Sequence, residues 1–233
     1  MFITSVIGIL LLFFGSGSVI WVEQYLPTGL TSIVWAFLPI WLILLDYNQW
    51  NQYFKNKLLV TGLLIGFAGI VLLFSDKTAL DLDDRPVLIN LFVAIGGTIS
   101  FSIGTLLAKH CKKIEMATPM KAALQMMTAG LVSLVVAVYI GETSHFLWAG
   151  LSLDSVLALF FLIFFGSIVA YLSYVWLLTQ VSPAIVGTYT YINPVVAVFL
   201  GWSILGETVS SRQFAALAKV LVGVILANIN QPR

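Results

Sequence analysis

Eight long apolar segments dominate this sequence and constrain its fold more than any other feature. They cover residues 3–22, 28–45, 57–74, 86–108, 119–140, 154–178, 184–205 and 211–228. A helix needs about 20 apolar residues to cross the hydrocarbon core of a bilayer. Continuous apolar runs also argue against a membrane β-barrel, whose strands alternate apolar and polar residues. The sequence therefore predicts an all-α, polytopic membrane protein with eight transmembrane helices.

The composition excludes most classes of soluble protein. Of the 233 residues, 60% are hydrophobic and 9% are charged, whereas a soluble domain carries roughly 25% charged residues. Exposing so much apolar surface to water would cause aggregation. The formal net charge of +1 provides no basic surface for DNA or RNA. We therefore expect a lipid bilayer as the surrounding medium and no nucleic-acid partner.

The distribution of basic residues predicts the orientation in the membrane. Connections on one side, together with the C-terminal tail, contain Lys55, Lys57, Lys109, Lys112, Lys113, Lys121 and Arg233. The opposite side contains only Lys77, Arg85 and Arg212. Because Lys and Arg are enriched on the cytoplasmic side, both termini are expected in the cytoplasm. The chain is thus predicted to be a multi-pass protein of the cytoplasmic membrane.

A weak internal repeat relates the two ends of the chain. At an offset of 155 positions, several landmarks coincide: Trp21 with Trp176, Thr28 with Pro183, and Pro39 with Pro194. The second and seventh segments are five segments apart, so the two copies cross the membrane in opposite directions. Inverted repeats of this kind are typical of secondary transporters.

Short motifs in both copies extend this pattern. The second copy contains Ser182-Pro183-Ala184, Tyr191-Ile192-Asn193-Pro194, Gly206-Glu207, Gln213 and Gly223, and the first contains Leu26-Pro27-Thr28-Gly29, Pro39 and the glycines from Gly62 to Gly69. In this order the motifs resemble the EamA-domain branch of the drug/metabolite transporter superfamily. The resemblance implies an inverted-repeat bundle, with a complete five-helix repeat at 86–229 and a partial three-helix repeat at 1–75.

The first repeat departs from the family, whose members usually have ten helices. Two explanations remain open: two helices precede Met1 in a longer protein, or the chain is an eight-helix member. Asn51 and Gln52 also stand where the shifted Gly-Glu pair would fall. The resemblance implies a carrier of small metabolites or drugs, and specifically an exporter that works by alternating access. A truncated, non-transporting scaffold and an intramembrane enzyme are the alternatives, and we expect no cofactor.

The seventh segment is the best candidate for the substrate pathway. A proline inside a helix removes one backbone hydrogen bond, so Pro194 is expected to free the carbonyl of Thr190. At membrane depth such a carbonyl must face protein or a water-lined cavity. Thr190, Asn193, Ala197 and Gly201 fall on one face, which is predicted to point into the bundle. Asn193 either contacts the solute or bonds a neighbouring helix.

Other candidate pathway residues lie near these positions. Pro39 is expected to free the carbonyl of Trp35 in the second segment, and both prolines are either flexing points or static kinks. Tyr189 and Tyr191 flank Pro194 and are able to stack on an aromatic or cationic solute, with lipid-facing packing as the alternative for at least one of them. Ser100 belongs to a stripe of small residues that indicates close helix packing, with a cavity-lining role as the alternative.

The remaining polar residues offer little chemistry at membrane depth. Lys219 is the only charge well inside a segment, and we expect it to snorkel or to have a structural partner rather than to bind an anion. No Asp or Glu lies near the middle of a segment, so a proton relay is not supported. His110, His145 and Cys111 are expected to be ordinary loop residues. The acidic connection at 76–84 lacks the spacing of a calcium loop, so no metal site is predicted.

The small residues of the third segment raise the question of oligomeric state. Gly62 and Gly66 have the spacing of a close helix–helix contact. The sequence leaves open whether that contact lies within the chain or in a homodimer.

Overall fold

The structure, a computed structural model, describes residues 1–75, 85–111, 116–142, 152–206 and 208–229. Within these ranges eight helices are long and apolar enough to cross a membrane. They are α1 (Phe2–Val22), α2 (Thr28–Leu45), α3 (Lys57–Phe74), α4 (Arg85–His110), α5 (Thr118–Tyr139), α6 (Leu153–Gln180), α7 (Pro183–Ile204) and α8 (Ser211–Asn228). The predicted all-α, eight-helix membrane protein is confirmed. The acidic connection at 76–84, together with Lys112, Lys113, His145, Glu207 and Arg233, lies outside the described residues.

Local signals explain where several helices begin and end. The Asn56 side chain accepts a hydrogen bond from the Leu59 N–H at 3.2 Å and caps the start of α3. Ser210 and Gln213 form a reciprocal capping box at the start of α8, which satisfies two backbone donors that have no partner in the helix. Gly206 follows α7 with φ of +69°, a left-handed conformation that glycine adopts without strain.

Two of the membrane helices are interrupted. In α2, Ala36 and Phe37 separate Thr28–Trp35 from Leu38–Leu45. In α7, Thr188 separates Pro183–Gly187 from a second part that starts at Tyr189. The expectation that Pro39 breaks a hydrogen bond inside a continuous helix is therefore wrong. Pro39 lies in the first turn of the second part of α2, where the chain has already left the helix and a missing N–H breaks no bond. Pro194 does lie inside a helix.

The most extensive helix–helix contact joins α3 to α8, and we call this contact the α3–α8 seam. A Cβ atom on Gly62 would lie 2.5 Å from the Ala227 nitrogen, and one on Gly69 would lie 2.7 Å from a Val220 methyl carbon. Gly223 faces Gly66 from the opposite helix. Small residues allow two membrane helices to approach this closely. The contact that the sequence left open for Gly62 and Gly66 is thus made within the chain.

Two of the three buried apolar clusters among the described residues lie on either side of the interrupted helices. One core surrounds the α3–α8 seam and includes Leu63, Ile70, Tyr191 and Val220. The other joins α1, α2, α4, α5 and α6 and is centred on Leu11, Leu38, Phe101 and Tyr171. Both α2 and α7 contribute to each side, since Tyr189 packs against the second core and Tyr191 belongs to the first. The interrupted helices therefore connect the two halves of the bundle.

Candidate functional site

A cavity of about 840 Å³ lies among α1, α4, α5, α6 and α7, and Asn228 of α8 also lines it. This volume suits a drug-sized organic molecule. Four rings form much of its wall, namely Phe101, Tyr171, Tyr174 and Tyr189, and we call it the aromatic cavity. Its polar groups are mostly hydroxyls, including those of Ser16, Ser133 and Thr188. None of its lining residues within the described ranges carries a formal charge.

The rings of this wall touch one another in series. The ring centres of Phe101 and Tyr174 lie 5.5 Å apart, and those of Tyr174 and Tyr189 lie 5.8 Å apart. Tyr171 and Tyr174 are stacked with centres 6.3 Å apart. Behind Phe101 stands the indole of Trp35, whose centre is 5.4 Å away. Such contacts stabilise aromatic pairs beyond simple burial, so α2, α4, α6 and α7 hold one another's rings in place.

Hydrogen bonds fix the orientation of two of the tyrosines. The Tyr174 hydroxyl lies 2.5 Å from the Thr105 Oγ1 atom, and the Tyr171 hydroxyl donates to the Gln125 Oε1 atom at 2.9 Å. The Tyr189 hydroxyl makes no hydrogen bond to the described part of the chain. Among the three tyrosines of the cavity wall, Tyr189 is therefore the one whose hydroxyl has no partner among the described residues.

The predicted pathway residues are divided between the cavity and the surrounding packing. Tyr189 lines the aromatic cavity, and Trp35 supports it through Phe101. The Trp35 indole N–H is buried and has no partner among the described residues. Ser100 does not line the cavity, because its hydroxyl donates to the Leu10 carbonyl at 3.0 Å and ties α4 to α1. Leu10 lies in a π-helical stretch of α1, Ile9–Ser16.

The face predicted for α7 does not point into the bundle as a unit. Thr190 is buried and its hydroxyl donates to the Gly187 carbonyl at 2.9 Å, whereas Asn193 faces outward. Tyr191 explains this arrangement, because it is fully buried against Gly66 and donates to the Leu63 carbonyl. Residues two positions apart differ by about 200° around a helix, so burying Tyr191 turns Asn193 outward.

Lys219 also lies on the outer surface. It was expected to snorkel or to have a structural partner. The structure buries Ala216, Val220 and Gly223 against α3, but Lys219 and Ala215 are exposed. Lys219 directly precedes Val220, and successive residues differ by about 100° around a helix. Burying Val220 in the α3–α8 seam therefore turns Lys219 away from the seam.

A second, smaller cavity was not predicted from the sequence. It has a volume of about 250 Å³ and lies where the ends of α1, α4, α5 and α6 meet. Its lining includes Lys109, Lys121, Thr118, Gln125 and Cys111, and we call it the basic cavity. Lys109 and Lys121 counted only as orientation signals in the sequence. Their proximity depends on how α4 and α5 pack, which no local pattern reports.

A polar cluster at the same end of the bundle was also missed. Asp46, which follows α2, is 2% exposed. Its carboxylate accepts a hydrogen bond from the Tyr53 hydroxyl at 2.9 Å and lies 3.1 Å from the His110 Nε2 atom. The interpretation of His110 as an ordinary loop residue is therefore wrong, because it connects the end of α4 to the end of α2. Burial, and then the nearby charge of Asp46 and the hydrogen bond to it, raises the pKa of Tyr53.

The residue before His110 makes a matching connection to α6. The Lys109 ammonium donates to the Leu178 carbonyl at 2.8 Å and to the Val181 carbonyl at 3.0 Å. A cation is favourable there because the carbonyls at the end of a helix carry partial negative charge. The ends of α2, α4 and α6 are thus held together at one face of the bundle.

Comparisons of the sequence and of the fold with known proteins all match membrane transporters or a protein of the same fold. The sequence model of the EamA-like transporter family matches residues 88–229. The inner membrane transporter YedA of Escherichia coli strain K12 is 34% identical over 229 residues, covering 97% of this chain and 71% of YedA. The transporter YvbV of Bacillus subtilis is 25% identical over 210 residues, covering 88% of this chain and 64% of YvbV. A crystal structure with 18% identity has a TM-score of 0.77 and covers 96% of this chain and 75% of that chain, which supports the fold.

Proposed function

This chain belongs to the EamA-like transporter family and is a membrane transporter, and we propose that it exports small metabolites or drugs across the cytoplasmic membrane by alternating access. We also propose that both termini lie in the cytoplasm and that residues 1–75 and 86–229 are a partial and a complete inverted repeat. The transporter names of the relatives favour a carrier over an intramembrane enzyme.

The aromatic cavity is the single observation that carries this proposal. It is lined by helices of both proposed repeats, since α1 belongs to the first and α4 to α8 belong to the second. A binding site at the interface of inverted repeats is accessible to either side when the repeats rock against each other. Its uncharged wall of rings and hydroxyls is suited to an organic solute rather than to an inorganic ion.

The interrupted helices supply the moving parts of the proposed mechanism. Gly187, at the end of the first part of α7, lies directly against α2. A Cβ atom there would be 2.7 Å from a Leu42 methyl carbon and 3.1 Å from the Pro39 Cα atom. Backbone breaks at Ala36, Phe37 and Thr188 flank this crossing. We propose that these breaks bend as the cavity switches between opening to one side of the membrane and opening to the other. Pro39 and Pro194 would limit the range of these bends.

Efflux from proteoliposomes tests this function. Vesicles that contain the purified chain are loaded with labelled amino acids, nucleosides and aromatic organic acids, and release of each is followed over time. At least one class should leave faster than from empty vesicles. The Tyr189→Ala variant should reduce this efflux at least tenfold, because the ring lines the cavity.

A matched control separates a cavity effect from general damage. Tyr139 is a tyrosine that is 90% exposed at the end of α5 and lies outside the cavity, so Tyr139→Ala should leave efflux unchanged. If the folded wild-type chain released none of the solutes, the non-transporting scaffold would replace the exporter. If Tyr189→Ala and Tyr139→Ala behaved alike, the aromatic cavity would not be the substrate site.

A further inference from the structure

The basic cavity assigns a chemical class to the transported solute. We propose that it binds an oxyanion, such as a carboxylate or a sulfonate, on a solute whose apolar ring lies in the adjacent aromatic cavity. This inference rests on the proposed export function, because it concerns the same pathway. The transported molecule is then a small aromatic acid rather than a neutral compound or a cation.

Charge is the first observation in favour of this site. Lys109 of α4 and Lys121 of α5 both line the basic cavity, and its described lining residues include no Asp or Glu. An ammonium group has three donors. Lys109 uses two of them on the carbonyls of Leu178 and Val181. The third Lys109 donor and the Lys121 ammonium make no hydrogen bond to the described residues, so both are available to an anion.

Neutral donors in the same cavity complete the site. Gln125 is 2% exposed, and its carboxamide oxygen accepts the hydrogen bond from Tyr171. Its NH2 group makes no hydrogen bond to the described residues, so both of its donors are available to an anion. The Thr118 hydroxyl lies at the start of α5, where the helix dipole favours negative charge. Two cations, an amide and a hydroxyl thus surround a volume suited to one oxyanion.

The contact between Tyr171 and Gln125 links the two cavities. Tyr171 lines the aromatic cavity, Gln125 lines the basic cavity, and their side chains meet at 2.9 Å. A solute with its ring against Tyr171 and Tyr174 is therefore one side chain away from the lysines. The aromatic cavity has no charged residue in its described lining with which to stabilise an anion, and an unpaired charge in an apolar site is unfavourable. The basic cavity supplies the missing positive charge.

The single cysteine provides a direct test of the potential in the basic cavity. Cys111 is the only cysteine in the chain and lines this cavity. Its rate of modification is measured with the anionic sulfonatoethyl methanethiosulfonate and with the cationic trimethylammonioethyl methanethiosulfonate. The anionic-to-cationic rate ratio should fall about fivefold in Lys121→Gln, because the two reagents respond in opposite directions to a lost positive charge. Lys57→Gln is the control, since Lys57 is exposed and lies outside the cavity.

Protection of Cys111 tests occupancy by the proposed class of solute. Benzenesulfonate should slow the modification of wild-type Cys111, and Lys121→Gln should weaken this protection at least fivefold. Methanesulfonate, which lacks the ring, should protect only at much higher concentrations. An unchanged rate ratio in Lys121→Gln, the absence of protection by benzenesulfonate, or equal protection by both anions would each overturn the proposal.

Further measurements distinguish a transported solute from a lipid headgroup, and the anion site from the export function. If anionic phosphatidylglycerol in nanodiscs protects Cys111 and benzenesulfonate does not displace it, the occupant is a lipid headgroup and the solute assignment is wrong. Protection by benzenesulfonate without efflux from proteoliposomes would support the oxyanion site and contradict export. Efflux of neutral or cationic solutes without protection of Cys111 would contradict the site and leave export supported.

Discussion

Glycine residues play opposite roles at the α3–α8 seam and in the aromatic cavity. At the seam, a Cβ atom on Gly62 would lie 2.5 Å from the Ala227 backbone nitrogen, and Gly223 faces the Gly66 backbone just as closely. At the cavity, a Cβ atom on Gly130 would meet nothing within 4 Å, and one on Gly166 would meet only a Leu162 methyl carbon at 3.8 Å.

This difference indicates which part of the bundle is rigid and which part is adaptable. Backbone in contact with backbone cannot shift without separating the helices, so the seam is suited to act as a fixed frame. The cavity wall consists of side chains around open space and has room to repack around a solute. Substitutions at the two places should therefore affect different properties, stability at the seam and transport at the cavity.

The largest effect is expected for Gly223→Ala at the seam. Its new methyl group would collide with the Gly66 backbone, and overpacking of this kind costs about 3 kcal/mol. We expect a loss of folded protein or a much lower melting temperature, measured by the fluorescence of the detergent-solubilised chain. Gly130→Ala is the control and should melt like the wild type. Equal melting of the two variants would show that the seam is not a rigid frame.

The sequence predicted a close helix contact at Gly62 and Gly66, but not that α8 is the partner helix. Glycines at helical spacing in the third segment indicate close packing by their small size alone. The helix ends were predictable for a similar reason, because bilayer thickness sets the length of an apolar segment. Both features depend on residues that are close together in the sequence.

The outward position of Asn193 and the contact of Asp46 with His110 depend on distant residues instead. Asn193 faces outward because Tyr191 packs against Gly66 of another helix. Asp46 and His110 are 64 positions apart, and their contact exists only when α2 and α4 end together. In a helix that is apolar on every side, the sequence does not indicate whether a given proline or polar residue faces the protein interior or the exterior.

Gly130→Leu should produce the next largest effect, on transport alone. The larger side chain would enter the aromatic cavity, which Gly130 lines, without meeting neighbouring atoms at its Cβ position. We expect efflux of aromatic solutes to fall about tenfold, while the melting temperature changes by less than about 2 °C. Efflux is measured in proteoliposomes at matched protein content. Normal efflux from this variant would mean that the solute follows a different path.

Two tyrosines that are two positions apart sharpen the comparison further. Tyr191 donates to the Leu63 carbonyl at 3.2 Å beside the seam, so Tyr191→Phe should cost about 1 kcal/mol of stability and leave transport unchanged. Tyr189 lines the aromatic cavity, and its hydroxyl has no partner among the described residues, so Tyr189→Phe should leave stability unchanged. It should instead weaken solute affinity severalfold. Melting curves and efflux kinetics on the same preparations distinguish the two, and a reversed pattern would contradict the assignment of the two regions.

The smallest effect on stability is expected at the contact between the α3–α8 seam and the helices around the aromatic cavity. Tyr53 packs in the core beside the seam and bonds to Asp46, which in turn contacts His110 of α4. The pKa of Tyr53 is raised by burial and by Asp46, so the folded chain keeps the phenol proton at pH values where the unfolded chain loses it. The stability that this raised pKa contributes is fully present below about pH 10, the ordinary tyrosine pKa, and is lost as the pH rises above it.

Melting temperatures at high pH measure this contribution. Between about pH 9 and about pH 11 the melting temperature should fall about 2 °C further in the wild type than in Tyr53→Phe. Tyr139→Phe is the control, because that tyrosine is 90% exposed, and it should follow the wild-type curve. Parallel curves for Tyr53→Phe and the wild type would mean that Asp46 does not hold a neutral phenol in the folded state, and the proposed joint between the rigid and adaptable regions would lose its main support.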